Sequence, residues 1–130
     1  MIIDSSALVA ILQAESESKA LVRAILKDNN RFMSSGNVLE TGMLIHARYG
    51  DDGTRDLDLL ISKLGIDITK FTQQQASIAR KAFADYGKGR HPAGLNFGDC
   101  IAYATAKDTG ENLLFKGKDF LQTDILAVSY

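Results

Sequence analysis

The chain has 130 residues, 45% of them hydrophobic and 24% charged, with a net charge of −1. Those figures describe a folded chain of ordinary domain size, and they exclude a disordered segment or a broad basic surface for nucleic acid, though not a local one. Cys100 is the single cysteine, so no internal disulfide can form; no apolar run approaches the ~20 residues that span a bilayer, and MIID lacks a signal-peptide pattern, so the expected location is the cytoplasm.

Met1–Asp4 reads as a short strand ending on an acid. Ser5 or Ser6 is placed to cap a helix over Ala7–Ala14, with Leu8, Ile11 and Leu12 on one face. A second helix carries Leu21, Ala24 and Ile25 inward and stops at Asp28-Asn29-Asn30. Arg31–Ser34 is the next strand. Ser35 then caps a helix predicted to run to Tyr49, with Val38, Leu39, Gly42, Ile45 and His46 patterned, and Gly50 ends it. Asp51–Gly53 is expected to be a turn, followed by a helix through Leu57, Leu60, Ile61 and Leu64 that Gly65 stops.

Ile66–Thr69 alternates like a strand. Thr72 caps Gln73–Tyr86, with Ala76, Ala79, Ala82, Phe83 and Tyr86 predicted inward. Gly87–Gly94 is a breaker-rich loop holding the only proline, Pro92. Leu95–Lys107 then forms a helix with Asn96 as cap and Asp99 in the first turn, where free N–H groups and the helix dipole favour a carboxylate. Asn112–Phe115 is a strand, Lys116–Lys118 a turn, Phe120–Thr123 a helical turn and Ile125–Val128 a last strand. Strands alternate with helices and no tight hairpin signal joins two strands. The expected fold is α/β and layered, with a mainly parallel sheet, as one domain over 1–130.

Parallel sheets gather functional groups beyond the carboxyl ends of their strands. Asp4 ends the first strand, Glu40 follows the second within a turn or so, Asp119 follows the Asn112–Phe115 strand, and Asp99 heads the helix before it. Each has a plain structural reason to exist: Asp99 as a capping acid, Glu40 on a solvated helix, Asp119 in a turn. Asp4 has the least such reason. Together on one sheet edge they would repel, by about 3 kcal/mol for one pair ~5 Å apart at an effective dielectric of ~20. Protons, basic partners or cations relieve that cost. Oxygen-only ligands favour Mg²⁺ or Mn²⁺ over zinc, and His46 and His91 lie too far apart in sequence to suggest a zinc site. Such an ion suits phosphoryl chemistry. No GxxxxGK[ST] loop or GxSxG elbow is present, and Asp4-Ser5-Ser6 has no second acid two residues on.

MIIDSSALVAIL, Asn37-Val38-Leu39-Glu40, RHPAGLNFGDCIAYATAK and LLFKGKDF together resemble the PIN-domain ribonuclease toxins of the VapC family, in order and over the whole chain. The resemblance implies a three-layer α/β/α fold and an endoribonuclease dependent on Mg²⁺, with Mn²⁺ as a substitute. It implies an acidic site at Asp4, Glu40, Asp99 and Asp119. Asp4 and Asp99 match the metal ligands, and Glu40 and Asp119 would ligate directly or through water. Ser6 matches a hydroxyl residue that supports the first acid.

The resemblance further implies the toxin of a type II toxin–antitoxin pair, cleaving structured RNA such as tRNA or rRNA with a metal-activated water. Implied partners are a VapB-type antitoxin that blocks the acidic pocket, a second copy of the chain, and toxin–antitoxin hetero-oligomers, with no membrane. Arg90, Lys116 and Lys118 flank the acid-bearing segments and are candidate contacts for the RNA backbone, or simply solvated loop cations. Two alternatives stand beside this: a PIN-fold binding module whose acids receive a partner's Arg or Lys, and a DNA-directed nuclease of related fold.

Overall fold

The computed structural model describes residues 1–130. Four strands, β1 (Ile2–Ile3), β2 (Phe32–Ser34), β3 (Asp67–Thr69) and β4 (Leu113–Leu114), form one sheet in the order β3-β2-β1-β4, every pair parallel. Parallel neighbours require crossover connections, and helices supply them. They are α1 (Ser5–Leu12), α2 (Ser18–Lys27), α3 (Ser35–Lys63), α4 (Gln73–Tyr86) and α5 (Phe97–Thr109).

Successive residues of a strand face opposite sides, and β1 uses this to anchor two cores. Ile3 joins Leu8, Leu21, Ile25, Leu57, Ile61 and Leu114 on one side of the sheet. Ile2 joins Leu95, Ala102, Ala104, Leu113 and Phe115 on the other. Helices α1, α2 and the second half of α3 cover the first face, and α4 and α5 the second, which makes three layers, α/β/α. In α5 every residue from Cys100 to Ala106 is buried. The small side chains Ala102, Ala104 and Ala106 let that helix sit close to the sheet and to α4.

Several local expectations are corrected. Asp4, not Ser5 or Ser6, is the N-cap of α1, and Ser34, not Ser35, caps α3. The turn expected at Asp51–Gly53 is helical. Only Gly50 leaves helical geometry, at φ 64° and ψ −150°, so one residue redirects the chain and helix resumes at once. A glycine can hold that conformation where other residues are strained. Leu39 and His46 face solvent, and Phe83 opens onto an apolar groove between α4 and α5 that Phe71, Phe97 and Ile101 also line. The expected last strand, Ile125–Val128, contributes a single bridge between Ala127 and Leu113.

Candidate active site

Asp4 follows β1 directly and is 3% exposed. As the cap of α1 it accepts two hydrogen bonds at Oδ2, from the Ser6 N–H at 3.0 Å and from Ser6 Oγ at 2.6 Å. Ser6 Oγ in turn accepts the Lys116 N–H at 2.9 Å, which links the first acid to the segment leaving β4. Asp4 Oδ1 is buried and has no partner. An unpartnered buried carboxylate oxygen is costly unless something else meets its charge.

Asp99 is held by a reciprocal cap. Its N–H donates to Asn96 Oδ1 at 2.9 Å, and its Oδ2 accepts the Asn96 N–H at 3.0 Å. The expected helix-capping role and a ligand role therefore use different atoms, because Oδ1 is left free of the cap. Asp119 begins the short 3-10 turn Asp119–Gln122 and is exposed.

Glu40 is half-buried on α3, where Ser5 Oγ donates to its Oε1 at 2.5 Å and Asn37 Nδ2 lies 3.4 Å from the same oxygen. Asn37 is fully buried and also donates to the Gly98 carbonyl at 3.0 Å. Three residues around Glu40 thus escaped sequence reasoning: Ser5, Asn37 and Gly98. Asn37 had a usable signal, since it stands one helical turn before Glu40 on the same face. Ser5 and Gly98 had none, because their role depends on contacts across the sheet edge.

Electrostatics join the four acids. Burial pushes the Asp4 carboxyl up to about 7, against the two Ser6 hydrogen bonds that lower it, and the charges of Asp99 and Glu40 push it further up. Burial likewise raises Asp99 to about 6, with the Asn96 N–H lowering it and Asp119 and Glu40 raising it. Each acid therefore acts on, or is acted on by, at least one other. No three His, Cys, Asp or Glu side chains converge closely enough to hold an ion as they stand. The set is gathered but open, with Glu40 bonded through Oε1 to Ser5. Its donors are all oxygens, the chemistry of a hard divalent cation, and Asp4 Oδ1 is a buried acceptor that no protein group donates to.

The three candidate RNA-contacting cations differ. Lys118 is exposed, and the Arg90 guanidinium lies 5.8 Å from the Phe83 ring centroid. Lys116 is not a free cation: its Nζ pairs with Glu15 and, at 3.5 Å, with Glu17. It serves the site through its backbone N–H to Ser6 instead.

An all-parallel α/β/α sandwich with carboxylates grouped beyond its strand ends defines a class of acidic-site domain. The chain belongs to the PIN-domain family, whose model matches residues 1–126, and within it to the VapC ribonucleases. It is 47% identical over 129 residues to ribonuclease VapC30 of Mycobacterium tuberculosis, which covers 99% of this chain and 98% of that protein. The fold is similar to that of M. tuberculosis VapC20, described as a toxin that cleaves the sarcin-ricin loop, with a TM-score of 0.79, 16% identity, and 99% of this chain and 98% of that one covered. It is also similar to a chain of a toxin–antitoxin complex from Klebsiella pneumoniae, with a TM-score of 0.74, 17% identity, and 99% and 97% covered.

Proposed function

We propose that the chain, as one PIN domain over 1–130, is an endoribonuclease dependent on Mg²⁺ or Mn²⁺ and the toxin of a type II toxin–antitoxin pair. The observation that carries this reading is Asp4: a buried carboxylate with one unpartnered oxygen, facing the charges of Asp99 and Glu40. Burying such a group against like charges is unfavourable unless it takes up a proton or a cation meets its charge, and above about pH 7 the cation is what remains. Asp4 and Asp99 would hold the ion, and Glu40 and Asp119 would reach it directly or through water. When bound, the ion neutralises charge on the scissile phosphate and activates water for attack on it.

The chain's own residues do the rest. Ser6 holds Asp4 by Oδ2 and leaves Oδ1 for the site. The Asn96 cap does the same for Asp99, through Oδ2 alone. Arg90 and Lys118 give the RNA backbone its positive contacts, which position a substrate without reading its sequence. Lys116 is a weaker candidate because two glutamates already meet its charge.

The substrate class proposed is structured RNA such as tRNA or rRNA. VapC30 is named a ribonuclease, and VapC20 is described as cleaving the sarcin-ricin loop. A VapB-type antitoxin is the proposed inhibitor, in keeping with the toxin–antitoxin complex from K. pneumoniae. A homodimer and a cytoplasmic location complete the proposal. No helix is long and apolar enough to cross a membrane.

The test is incubation of the purified chain with tRNA, rRNA fragments and single-stranded DNA, each with Mg²⁺, Mn²⁺ or EDTA. Cleavage of RNA that EDTA abolishes is expected. Cleavage of DNA alone would assign a DNA-directed nuclease, and no cleavage of any of them would leave a binding module.

A further inference from the structure

Glu40 is held by contacts from three directions. Ser5 has one hydroxyl proton and two acceptors in reach, Glu40 Oε1 at 2.5 Å and the Asn37 carbonyl at 3.2 Å. The shorter, charge-assisted bond to the carboxylate takes the proton. Asn37 Nδ2 divides its two protons among the Gly98 carbonyl at 3.0 Å, Glu40 Oε1 at 3.4 Å and Ser5 Oγ at 3.5 Å. Both donors meet Oε1, and no protein group donates to Oε2.

The third direction is Gly98, in the first turn of α5. A Cβ built there would fall 1.7 Å from Glu40 Oε2, 2.2 Å from its carboxyl carbon and 2.4 Å from Oε1. The carboxylate fills the place of a side chain. The backbone of Gly98 does not call for glycine: it is helical, where alanine is the better residue. Gly98 also immediately precedes Asp99, so the backbone that the Glu40 carboxylate packs on is joined directly to a second acid.

We infer that Ser5, Asn37 and Gly98 are positioning residues that fix the Glu40 carboxylate, tying Oε1 to the protein and leaving Oε2, packed against Gly98, for the ion. This rests on the metal-dependent reading above. All three residues act on the site only through Glu40. Asn37 is wholly buried, so its replacement would test folding first; Ser5 and Gly98 are the informative positions.

The experiment is a double-mutant cycle read by Mn²⁺ titration of the purified full chain without RNA, with free Mn²⁺ followed by electron paramagnetic resonance. Melting temperatures are taken in parallel. Ser5→Ala and Gly98→Ala are each expected to raise the Mn²⁺ Kd roughly tenfold, the usual scale for losing a group that orients a ligand. Gly98→Ala is expected to melt within a few degrees of wild type. Added to Glu40→Ala, either substitution should change the Kd less than twofold, because its only route to the ion is gone.

An unchanged Kd in both single variants would overturn the inference. So would an equal loss with and without Glu40, since the two residues would then act by another route. Either result leaves the metal-dependent reading standing if wild type binds Mn²⁺. A wild-type chain that binds no Mn²⁺ overturns both.

Discussion

Ser6 Oγ donates to Asp4 Oδ2 across 2.6 Å while accepting the backbone N–H of Lys116 at 2.9 Å. One hydroxyl orients a buried carboxylate and ties the end of β1 to the segment after β4. Ser6→Ala removes both bonds and leaves the Lys116 N–H without this partner. The expected cost is about 1–3 kcal/mol in urea unfolding. The Asp4 carboxyl should also move further up, since its ionised form loses a donor. Ser6→Thr keeps the hydroxyl and should retain most of the stability and cleavage.

Acid should stabilise the cation-free protein. The Asp4 carboxyl is raised from 3.8 to about 7 and Asp99 to about 6, burial being the first cause for both. Between the ordinary carboxylate value and those raised values, the folded chain keeps protons that the unfolded chain has released. Stability is therefore greatest at the acid end of this window and falls as pH rises to about 7, by roughly 4 kcal/mol at most from Asp4. Urea midpoints in EDTA should be higher at pH 5 than at pH 8. A midpoint that climbs over that interval would contradict the burial assigned to Asp4.

Asp4→Asn removes the buried charge but keeps an acceptor for Ser6 and offers an amide to the neighbouring acids. In EDTA at pH 8 it should be more stable than wild type, by about 1–3 kcal/mol. Its midpoint should also vary less between pH 5 and 8. Adding Mn²⁺ at about 100 times Kd should stabilise wild type by about 2.7 kcal/mol. The same addition should leave Asp4→Asn nearly unmoved. Thermal or urea melts of the two proteins, with and without the ion, read all three outcomes.

Gly50 and Gly42 sit in the same helix and should respond oppositely to alanine. Gly50 stands at φ 64° with nothing within 4 Å of the place a methyl group would occupy, so Gly50→Ala costs only backbone strain, about 1–3 kcal/mol. A Cβ at Gly42 would make ordinary contact with Leu57 Cδ2 at 3.9 Å. Gly42→Ala should then stabilise by up to about 1 kcal/mol. Denaturation midpoints of the two variants check the contrast.

Alternation of short apolar runs with amphipathic helices was enough to read the parallel α/β layering. Asp4, Asp99 and Asp119 were legible as candidates because they stand at a strand end or a helix start, and Glu40 because it lies within two turns of one, places that chain order alone identifies. Their partners were not. Ser5 is 35 residues from Glu40 in the chain and Asn37 is 61 from Gly98. Such contacts arise only when β1, α3 and α5 meet. Lys116 looked like a free loop cation because its partners, Glu15 and Glu17, lie about 100 residues earlier. Gly50 was recognisable as a helix breaker, but the immediate return to helix depends on Leu57 and Ile61 reaching the core beside Ile3.

The most direct measurement is RNA cleavage by wild type and Asp99→Asn, with Mg²⁺ or Mn²⁺, on samples whose circular dichroism and melting show intact folding. Asparagine keeps an acceptor for the Asn96 cap and removes the charge needed beside Asp4. Cleavage that wild type performs, that EDTA stops and that Asp99→Asn loses by at least about a hundredfold is the result expected. Undiminished cation-dependent cleavage by a folded Asp99→Asn protein would contradict the assignment of the acidic site.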